Sequence, residues 1–397
     1  MIAGGKMAWG RRFRGTCEIR QLWPKPPVAY ARGSERGVGA LIRILQVPRF
    51  RLPTLVLLAA ASPSFGQIAP APAAAKHGES ISCAACHAAE SADQPATPMG
   101  HALEAVGDCT ILRNHAVLTF QTAKYSYRIE RKGSQSMYSV TDGVRTISVP
   151  IGWAFGLGQA GQTYVFEQDG RFYESRVSFY KDIDGLDWTM GAINQVPLNL
   201  LQAAGRELGK QEAAQCFHCH ASNGGEGLNL NLTGLIPGVQ CERCHGPAAE
   251  HMASFKNGKA VPMKKLTDGS AEEMNSFCGS CHRTWDEIAT GPKLGVANVR
   301  FQPYRLTNSK CYDSADARIS CVVCHDPHHP LNVDEASYDS KCLACHSKGG
   351  NAKARLCKVS KNNCASCHMP QIEMPGGHRS FTDHQIRIVR ANERYPE

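Results

Sequence analysis

The chain has 397 residues, enough for one large domain or two to three ordinary ones, and it contains 18 cysteines. Its net charge of +9 is carried by residues 1–66, which hold eleven Lys and Arg against two Glu. From Gln67 onward 33 basic and 33 acidic residues balance, which removes the main support for a nucleic-acid or anionic-membrane partner.

The N-terminal segment is predicted to be an export signal. Arg49 and Arg51 precede a ten-residue apolar run at 52–61, and small residues follow up to Gly66. This order is typical of a cleavable signal, with the cut before Gln67. A helix that spans a bilayer needs about 20 residues, so the run is too short to cross a membrane. An uncleaved signal with peripheral membrane contact is the alternative.

Residues 1–46 place this signal unusually far from the first methionine and show no periodic pattern. One hypothesis is a start codon assigned too early, with translation beginning near Val47. The Ala- and Pro-rich residues 69–75 are interpreted as a short flexible linker that follows the signal.

Seven copies of Cys-x-x-Cys-His are the most informative feature of the chain. Their cysteines and histidines are, in chain order, Cys83, Cys86 and His87; Cys216, Cys219 and His220; Cys241, Cys244 and His245; Cys278, Cys281 and His282; Cys321, Cys324 and His325; Cys342, Cys345 and His346; Cys364, Cys367 and His368. The pattern attaches c-type haem: both thiols form thioethers with the haem, and the histidine ligates the iron. A lone Cys-x-x-Cys also occurs in zinc sites, redox dithiols and disulfide frameworks. Because all seven copies carry the adjacent histidine, we predict seven covalently attached haems.

The 128 residues between His87 and Cys216 contain no motif. From about 116 to 190, apolar and polar residues alternate with period two, and 142–143 and 169–170 are Asp-Gly turns. Strands are predicted at 125–131, 137–141, 163–167 and 171–179. Bulges or close backbone approaches are expected at Gly152, Gly156, Gly158 and Gly161. The pattern indicates a small antiparallel β-domain.

Six motifs crowd into residues 216–368, where long periodic runs are few. Short helices are predicted at 247–255 and 271–278. The first cysteines of these six motifs follow one another at intervals of 25, 37, 43, 21 and 22 residues. Such intervals leave little peptide between cofactors. Haems are therefore expected to replace much of the hydrophobic core and to approach one another closely, as electron tunnelling requires.

The sixth ligand of each iron is predicted to be a second histidine. Electron carriers usually have two strong axial ligands, and nine histidines lie outside the motif positions, enough for seven irons. The favoured distal ligands are His101, His115, His251, His328 and His384, followed by His378, His329 and His77. A surface position is the alternative for each, above all for His77 and for His218, which lies inside a motif. Met99 is the competing ligand and would raise the haem potential.

Three cysteines remain once Cys17 of the leader and the fourteen motif cysteines are set aside. An oxidising compartment favours disulfides, and Cys311 with Cys357 is the predicted pair because both lie in the motif-rich half. Cys109 is then expected to be buried and unreactive, a common state of free cysteine.

Several segments resemble the multihaem c-type cytochromes related to the tetrahaem cytochrome of nitrifying bacteria. They are 235–251, 321–329, 364–370 and the tail 377–384, within a resemblance that covers 77–115 and about 206–390. The resemblance implies distal ligation by His251 and His384, stacked haem pairs, and a periplasmic or extracellular electron carrier. The β-rich insert and the count of seven haems depart from the four-haem pattern.

These observations predict a mixed, haem-organised fold of short helices and loops with an inserted antiparallel β-domain. The expected organisation is a leader at 1–66, a haem segment at 67–115, the insert at 116–192 and a six-haem domain at 193–397. The insert is interpreted as a cover over the first haem, with a ligand-binding or partner-binding module as the alternative.

The favoured function is electron transfer between redox proteins in the periplasm or at the cell surface of a bacterium, through mainly bis-histidine haems. One alternative is a reductase or oxidase of a small nitrogen or sulfur compound, which needs one open iron. No Cys-x-x-Cys-Lys motif, which marks such an iron in related nitrite reductases, occurs in the chain. Another alternative is a subunit of an extracellular or outer-membrane electron conduit. An oligomer remains open.

Overall fold

The computed structural model describes residues 83–226, 229–256, 258, 261–292, 294–347 and 355–396. All of them belong to one compact unit, Gln67–Glu397. The predicted export signal, start site, linker and His77 fall outside the described residues. Within the described ranges, no helix is long and apolar enough to cross a membrane.

Fifteen strands are present in the described residues. They are β1 (Leu103–Ala105), β2 (Val117–Gln121), β3 (Ser126–Lys132), β4 (Gln135–Thr141), β5 (Thr146–Phe155), β6 (Gln162–Gln168), β7 (Arg171–Tyr180), β8 (Gly185–Trp188), β9 (Gly205–Glu207), β10 (Ala221–Ser222), β11 (Gly225–Glu226), β12 (Asn229–Leu230), β13 (Ile236–Pro237), β14 (Gln371–Glu373) and β15 (Ser380–Thr382). The strands expected from the alternating pattern are confirmed as β3, β4, β6 and β7.

Strands β1 to β9 form one antiparallel sheet in which β2 to β8 follow chain order, β1 pairs with β5 and β9 pairs with β7. The two ends of the series meet, since Phe120 of β2 and Trp188 of β8 have ring centres 5.2 Å apart. The sheet is therefore a nearly closed barrel. It begins at Leu103 and ends at Glu207, so it draws strands from both sides of the predicted insert.

The barrel has its own hydrophobic core, because alternate residues of each strand point inward. Tyr127, Tyr138, Tyr164, Phe166 and Val177 are at most 1% exposed. Burial of an apolar side chain of this size contributes about 1.5–3 kcal/mol. This half of the protein can therefore be stabilised by its own side chains.

Turn chemistry explains the register of the barrel. Asp169 and Gly170 both have positive φ, 52° and 72°, as a two-residue hairpin with a type I′ turn requires. At Gly152 the register between β5 and β6 shifts between Ile151 and Trp153, which confirms the bulge expected there.

Twelve short helices complete the described structure. They are α1 (Ala88–Asp93), α2 (Thr110–Asn114), α3 (Leu200–Ala204), α4 (Lys210–His220), α5 (Cys241–His245), α6 (Ala249–Lys256), α7 (Ala271–His282), α8 (Trp285–Ala289), α9 (Gln302–Thr307), α10 (Cys321–Cys324), α11 (Asp339–His346) and α12 (Cys364–His368). The two predicted helices are confirmed as α6 and α7, and Ser270 begins α7 with a capping box to Glu273.

Candidate haem-binding site

The seven motifs share one local structure. Six of them lie on α4, α5, α7, α10, α11 and α12, and the first begins with a 3₁₀ turn at Cys83–Ala85. In a helix, positions i, i+3 and i+4 lie on the same face. In the five motifs on α4, α5, α7, α11 and α12, the two cysteines and the histidine therefore face one side of a helical turn. This is the arrangement needed to hold a flat cofactor at two thiols and its iron. His325 directly follows the end of α10 in an extended conformation, and His87 precedes α1.

Motifs that are distant in sequence meet through their thiols. The thiols of Cys219 and Cys281 lie close enough to shift each other's pKa, as do those of Cys278 and Cys321. Cys83 shifts the pKa of Cys241 in the same way, and Cys364 that of Cys342. The first and third motifs, the second, fourth and fifth, and the sixth and seventh are thereby adjacent. The attachment points therefore form clusters.

Most motif histidines hold a protein oxygen with Nδ1, so that Nε2 is the nitrogen that remains for a metal. Four of these contacts are to backbone carbonyls: His220 to Ala102 at 2.8 Å, His245 to Lys264 at 3.0 Å, His346 to Arg355 at 2.8 Å and His368 to Arg387 at 2.8 Å. In His325, Nδ1 lies 3.5 Å from the hydroxyl of Tyr338. These contacts fix both the tautomer and the ring orientation.

Two motif histidines each lie close to a second histidine. The ring centres of His245 and His328 are 6.0 Å apart with planes 9° from parallel, and those of His325 and His384 are 6.2 Å apart. Metal–imidazole bonds are about 2 Å long, so two imidazoles on opposite faces of one iron have ring centres roughly 6 Å apart. The residues at both places fit a bis-histidine haem iron.

The predicted distal ligands divide into two groups by their ring nitrogens. Four hold a protein oxygen with Nδ1: His101 on Glu104 at 2.9 Å, His251 on the Val261 carbonyl at 2.7 Å, His328 on Asp326 at 3.0 Å and His384 on the Thr382 carbonyl at 3.0 Å. These resemble the motif histidines in having Nε2 as the remaining nitrogen.

In the second group, Nε2 itself is engaged. His115 places Nε2 3.0 Å from Asp184, and His378 places Nε2 2.7 Å from Asp187. Both carboxylates belong to the barrel region, so these two histidines tie segments to the barrel in this structure.

Two further histidines also contact charged side chains. His329 has Nδ1 2.9 Å from Asp93, and His218 accepts a hydrogen bond from Arg243 at 2.8 Å. Met99, the competing ligand, is half-buried two residues before His101.

Burial keeps several of the ligand histidines neutral, which is the form that binds a metal. Desolvation lowers the pKa of His384 to about 4 and also lowers the pKa of His220, His282 and His325. At neutral pH these imidazoles carry a free lone pair.

A buried ion-pair network behind His384 has no signature in the cysteine and histidine motifs. Arg305 and Asp383 are both fully buried and share two hydrogen bonds of 2.8 Å. Arg387 adds a third hydrogen bond to the carboxylate of Asp383 at 2.7 Å. Since the Arg387 carbonyl also accepts from His368, this network connects the segments that carry two candidate ligands.

Cys109, Cys311 and Cys357, the non-motif cysteines of the described residues, are free. The predicted disulfide between Cys311 and Cys357 is wrong for this structure, because both thiols are exposed and unpaired. The backbone amides of Ser360 and Val359 instead lower the pKa of the Cys357 thiol. Cys109 is fully buried, and burial raises the pKa of its thiol to about 12, as expected for an unreactive cysteine.

Comparisons with known proteins match the motif-bearing part of the chain. Residues 195–246 match the family model described as cytochrome c554 and c-prime. The chain is 25% identical over 195 residues to the multiheme cytochrome MtrA of Shewanella baltica (strain OS185), a match covering 46% of this chain and 50% of the relative. It is 23% identical over 184 residues to the dissimilatory sulfite reductase MccA of Wolinella succinogenes, covering 37% of this chain and 24% of the relative. No solved structure matches the chain.

The chain thus spans half or less of the length of these two curated relatives. The seven motifs supply the residues for haem attachment in this chain. Together the family model and both relatives support a multihaem c-type cytochrome.

Proposed function

We propose that the chain is an exported heptahaem c-type cytochrome that carries electrons between redox proteins through mainly bis-histidine haems. The observation that carries the proposal is the pairing of His245 with His328 and of His325 with His384 at about 6 Å between ring centres. An iron with two histidine ligands is closed to substrates and exchanges electrons only.

The adjacency of the motifs supports a path through the protein. The proximity of their thiols groups all seven motifs into three clusters. Cys281 lies close enough to Cys244 to raise the pKa of the Cys244 thiol, and Cys342 does the same to Cys324. These two proximities join the three clusters. When bound, haem supplies the one-electron chemistry. The polypeptide holds the cofactors close together, orients their ligands and limits water at the irons.

The scarcity of buried apolar side chains in the motif-rich half also supports a haem core there. Beyond residue 240, the fully or largely buried apolar side chains of the described segments are few: Ala248, Ala271, Met274, Val299, Tyr304, Ala365 and Met374. A unit of this length ordinarily needs a larger core to offset its conformational entropy. Covalently attached porphyrins would supply that apolar surface.

The proposed axial ligands are the seven motif histidines with His101, His251, His328 and His384 as distal partners. His115 and His378 join them only if their Nε2 atoms leave Asp184 and Asp187. We also propose that the signal is cleaved near Gly66, that the mature protein works in the periplasm or at the cell surface of a bacterium, and that its fold is related to the tetrahaem cytochrome of nitrifying bacteria.

Exchange kinetics of the haem-loaded protein test this function. The protein is reduced anaerobically and mixed either with oxidised mitochondrial cytochrome c, as a protein acceptor, or with nitrite or sulfite. Rapid reoxidation by the protein acceptor, with no sustained consumption of either anion in the presence of a dye reductant, is the expected result. Turnover of nitrite or sulfite would contradict a carrier with closed irons.

A reductase of a small sulfur compound is the second candidate. It is favoured by the similarity to a protein named dissimilatory sulfite reductase and by the engagement of Nε2 in His115 and His378, which leaves fewer imidazoles for the irons. In the same experiment this candidate predicts that sulfite, not nitrite, is consumed.

A further inference from the structure

Glu104 is a buried carboxylate at the junction of the barrel and the haem-binding half. It lies on β1, opposite Ala154 of β5, and only 8% of it is exposed. Each carboxylate oxygen has a separate donor: Nδ1 of His101 at 2.9 Å and Nε2 of Gln162 at 3.2 Å. A carboxylate only accepts, so His101 must carry its proton on Nδ1.

The barrel holds this carboxylate in place. Gln162 on β6 is fully buried, and its Nε2 also donates to the Gly156 carbonyl at 2.9 Å. Its Oε1 accepts from the thiol of Cys109 at 3.2 Å. This connected set of hydrogen bonds begins in the barrel interior and ends on the imidazole of His101.

The position of His101 suits an iron ligand. With Nδ1 held by Glu104, Nε2 is the nitrogen that remains for a metal. A cavity of about 260 Å³ is lined by His101, Glu104 and Arg113. The next residue, Ala102, accepts the Nδ1 hydrogen bond of the motif histidine His220 at 2.8 Å. One short segment of chain beside the barrel thus orients two candidate haem ligands.

We propose that Glu104 is a positioning residue that holds His101 as a haem ligand and lowers the potential of that haem. The inference rests on the proposed function, in which His101 is a distal ligand. A carboxylate that accepts from Nδ1 makes the imidazole a stronger electron donor, and this stabilises ferric iron. The barrel then acts as the rigid support of a haem ligand, beyond its role as a cover.

The test is a spectroscopically monitored redox titration of the haem-loaded full chain carrying Glu104→Gln. This change keeps the size of the side chain and removes its charge, so one haem is expected to shift to higher potential while it stays low-spin. Glu167→Gln, an exposed change on β6, is the matched control and is expected to leave every potential as in the wild type. Unchanged potentials in the Glu104→Gln protein would overturn the proposal.

A double-mutant cycle with His101→Met distinguishes an effect of Glu104 through His101 from a general effect on the fold. It also tests separately whether His101 is a haem ligand and whether Glu104 positions it. If Glu104 acts through His101, adding Glu104→Gln to His101→Met has no further effect on the potentials. An equal shift in both backgrounds would overturn the positioning role. If His101→Met alone leaves the spectrum and every potential unchanged, His101 is not a ligand, and the ligand set of the proposed function fails instead.

Discussion

The imidazole rings of His245 and His328 are nearly parallel, with their centres 6.0 Å apart. Each ring is already held at Nδ1, by the Lys264 carbonyl and by Asp326. A ligand that is held in this way loses little rotamer freedom when it binds, so the site is preorganised. His329 is next to His328 in sequence but is half exposed, and its Nδ1 contacts Asp93.

The first prediction concerns this pair. His328→Ala removes the sixth ligand of the iron held by His245, so one haem per chain is expected to become high-spin. That haem should also bind carbon monoxide when reduced. Electron paramagnetic resonance of the oxidised protein and a carbon monoxide difference spectrum measure both effects.

His329→Ala is the matched control for that prediction, because it removes a neighbouring imidazole without touching His245. It is expected to leave the spin state of every haem as in the wild type. The assignment is contradicted if His329→Ala produces the high-spin haem, or if His328→Ala produces none.

Some individual residues of the candidate site could be predicted from the sequence. The attachment residues follow from the local motif, and His251 and His384 from the resemblance. The engagement of His115 and His378 could not be foreseen, since it depends on where the barrel places Asp184 and Asp187. Glu104 had a weak signal, an acidic residue at i+3 from His101, whereas Arg305 had none because its partner is 78 residues away.

Among the elements, the C-terminal tail has the clearest role. Arg305 of α9 binds Asp383, Ser309 donates to the carbonyl of His384 at 3.1 Å, and Arg387 exchanges backbone and ring hydrogen bonds with His368. The tail therefore packs between two candidate ligands and fixes both. Its position depends on a charge pair that is fully removed from water.

The second prediction is that Arg305→Met releases the tail. Removing one partner of a buried ion pair leaves a charge without its counterion and costs about 3–5 kcal/mol. Loss of thermal stability, cleavage of the tail by protease and a high-spin signal are expected together. Arg318→Met, which breaks an exposed pair with Asp316, is the control and should change none of these. Equal effects of the two variants would contradict the tail's role.

The elements differed in how far sequence could predict them. Strands β3, β4, β6 and β7 were predictable because apolar and polar residues alternate along them, and this alternation specifies which face of the strand is buried. Closure of the barrel was not, since it depends on Phe120 and Trp188 meeting across the two ends of the sheet. Strands β1 and β9 are three residues long and have no periodic pattern to reveal them.

The two halves of the described structure differ in how many apolar side chains they bury. The barrel is stabilised by its own aromatic core, whereas the motif-rich half has few buried apolar side chains in its described segments. With haem attached as proposed, we expect it to take part in the folding of that half, much as structural metals do in small domains. The sequence pattern indicated this division, because the period-two segment ends before the motif-rich segment begins.

The central claim is that seven haems are attached and that their irons are mainly closed by two protein ligands. Electron paramagnetic resonance of the fully oxidised protein, with haem quantified per chain, tests it most directly. The account predicts seven haems per chain and a spectrum dominated by low-spin ferric iron. A spectrum dominated by high-spin ferric iron, or a count below seven, would contradict it.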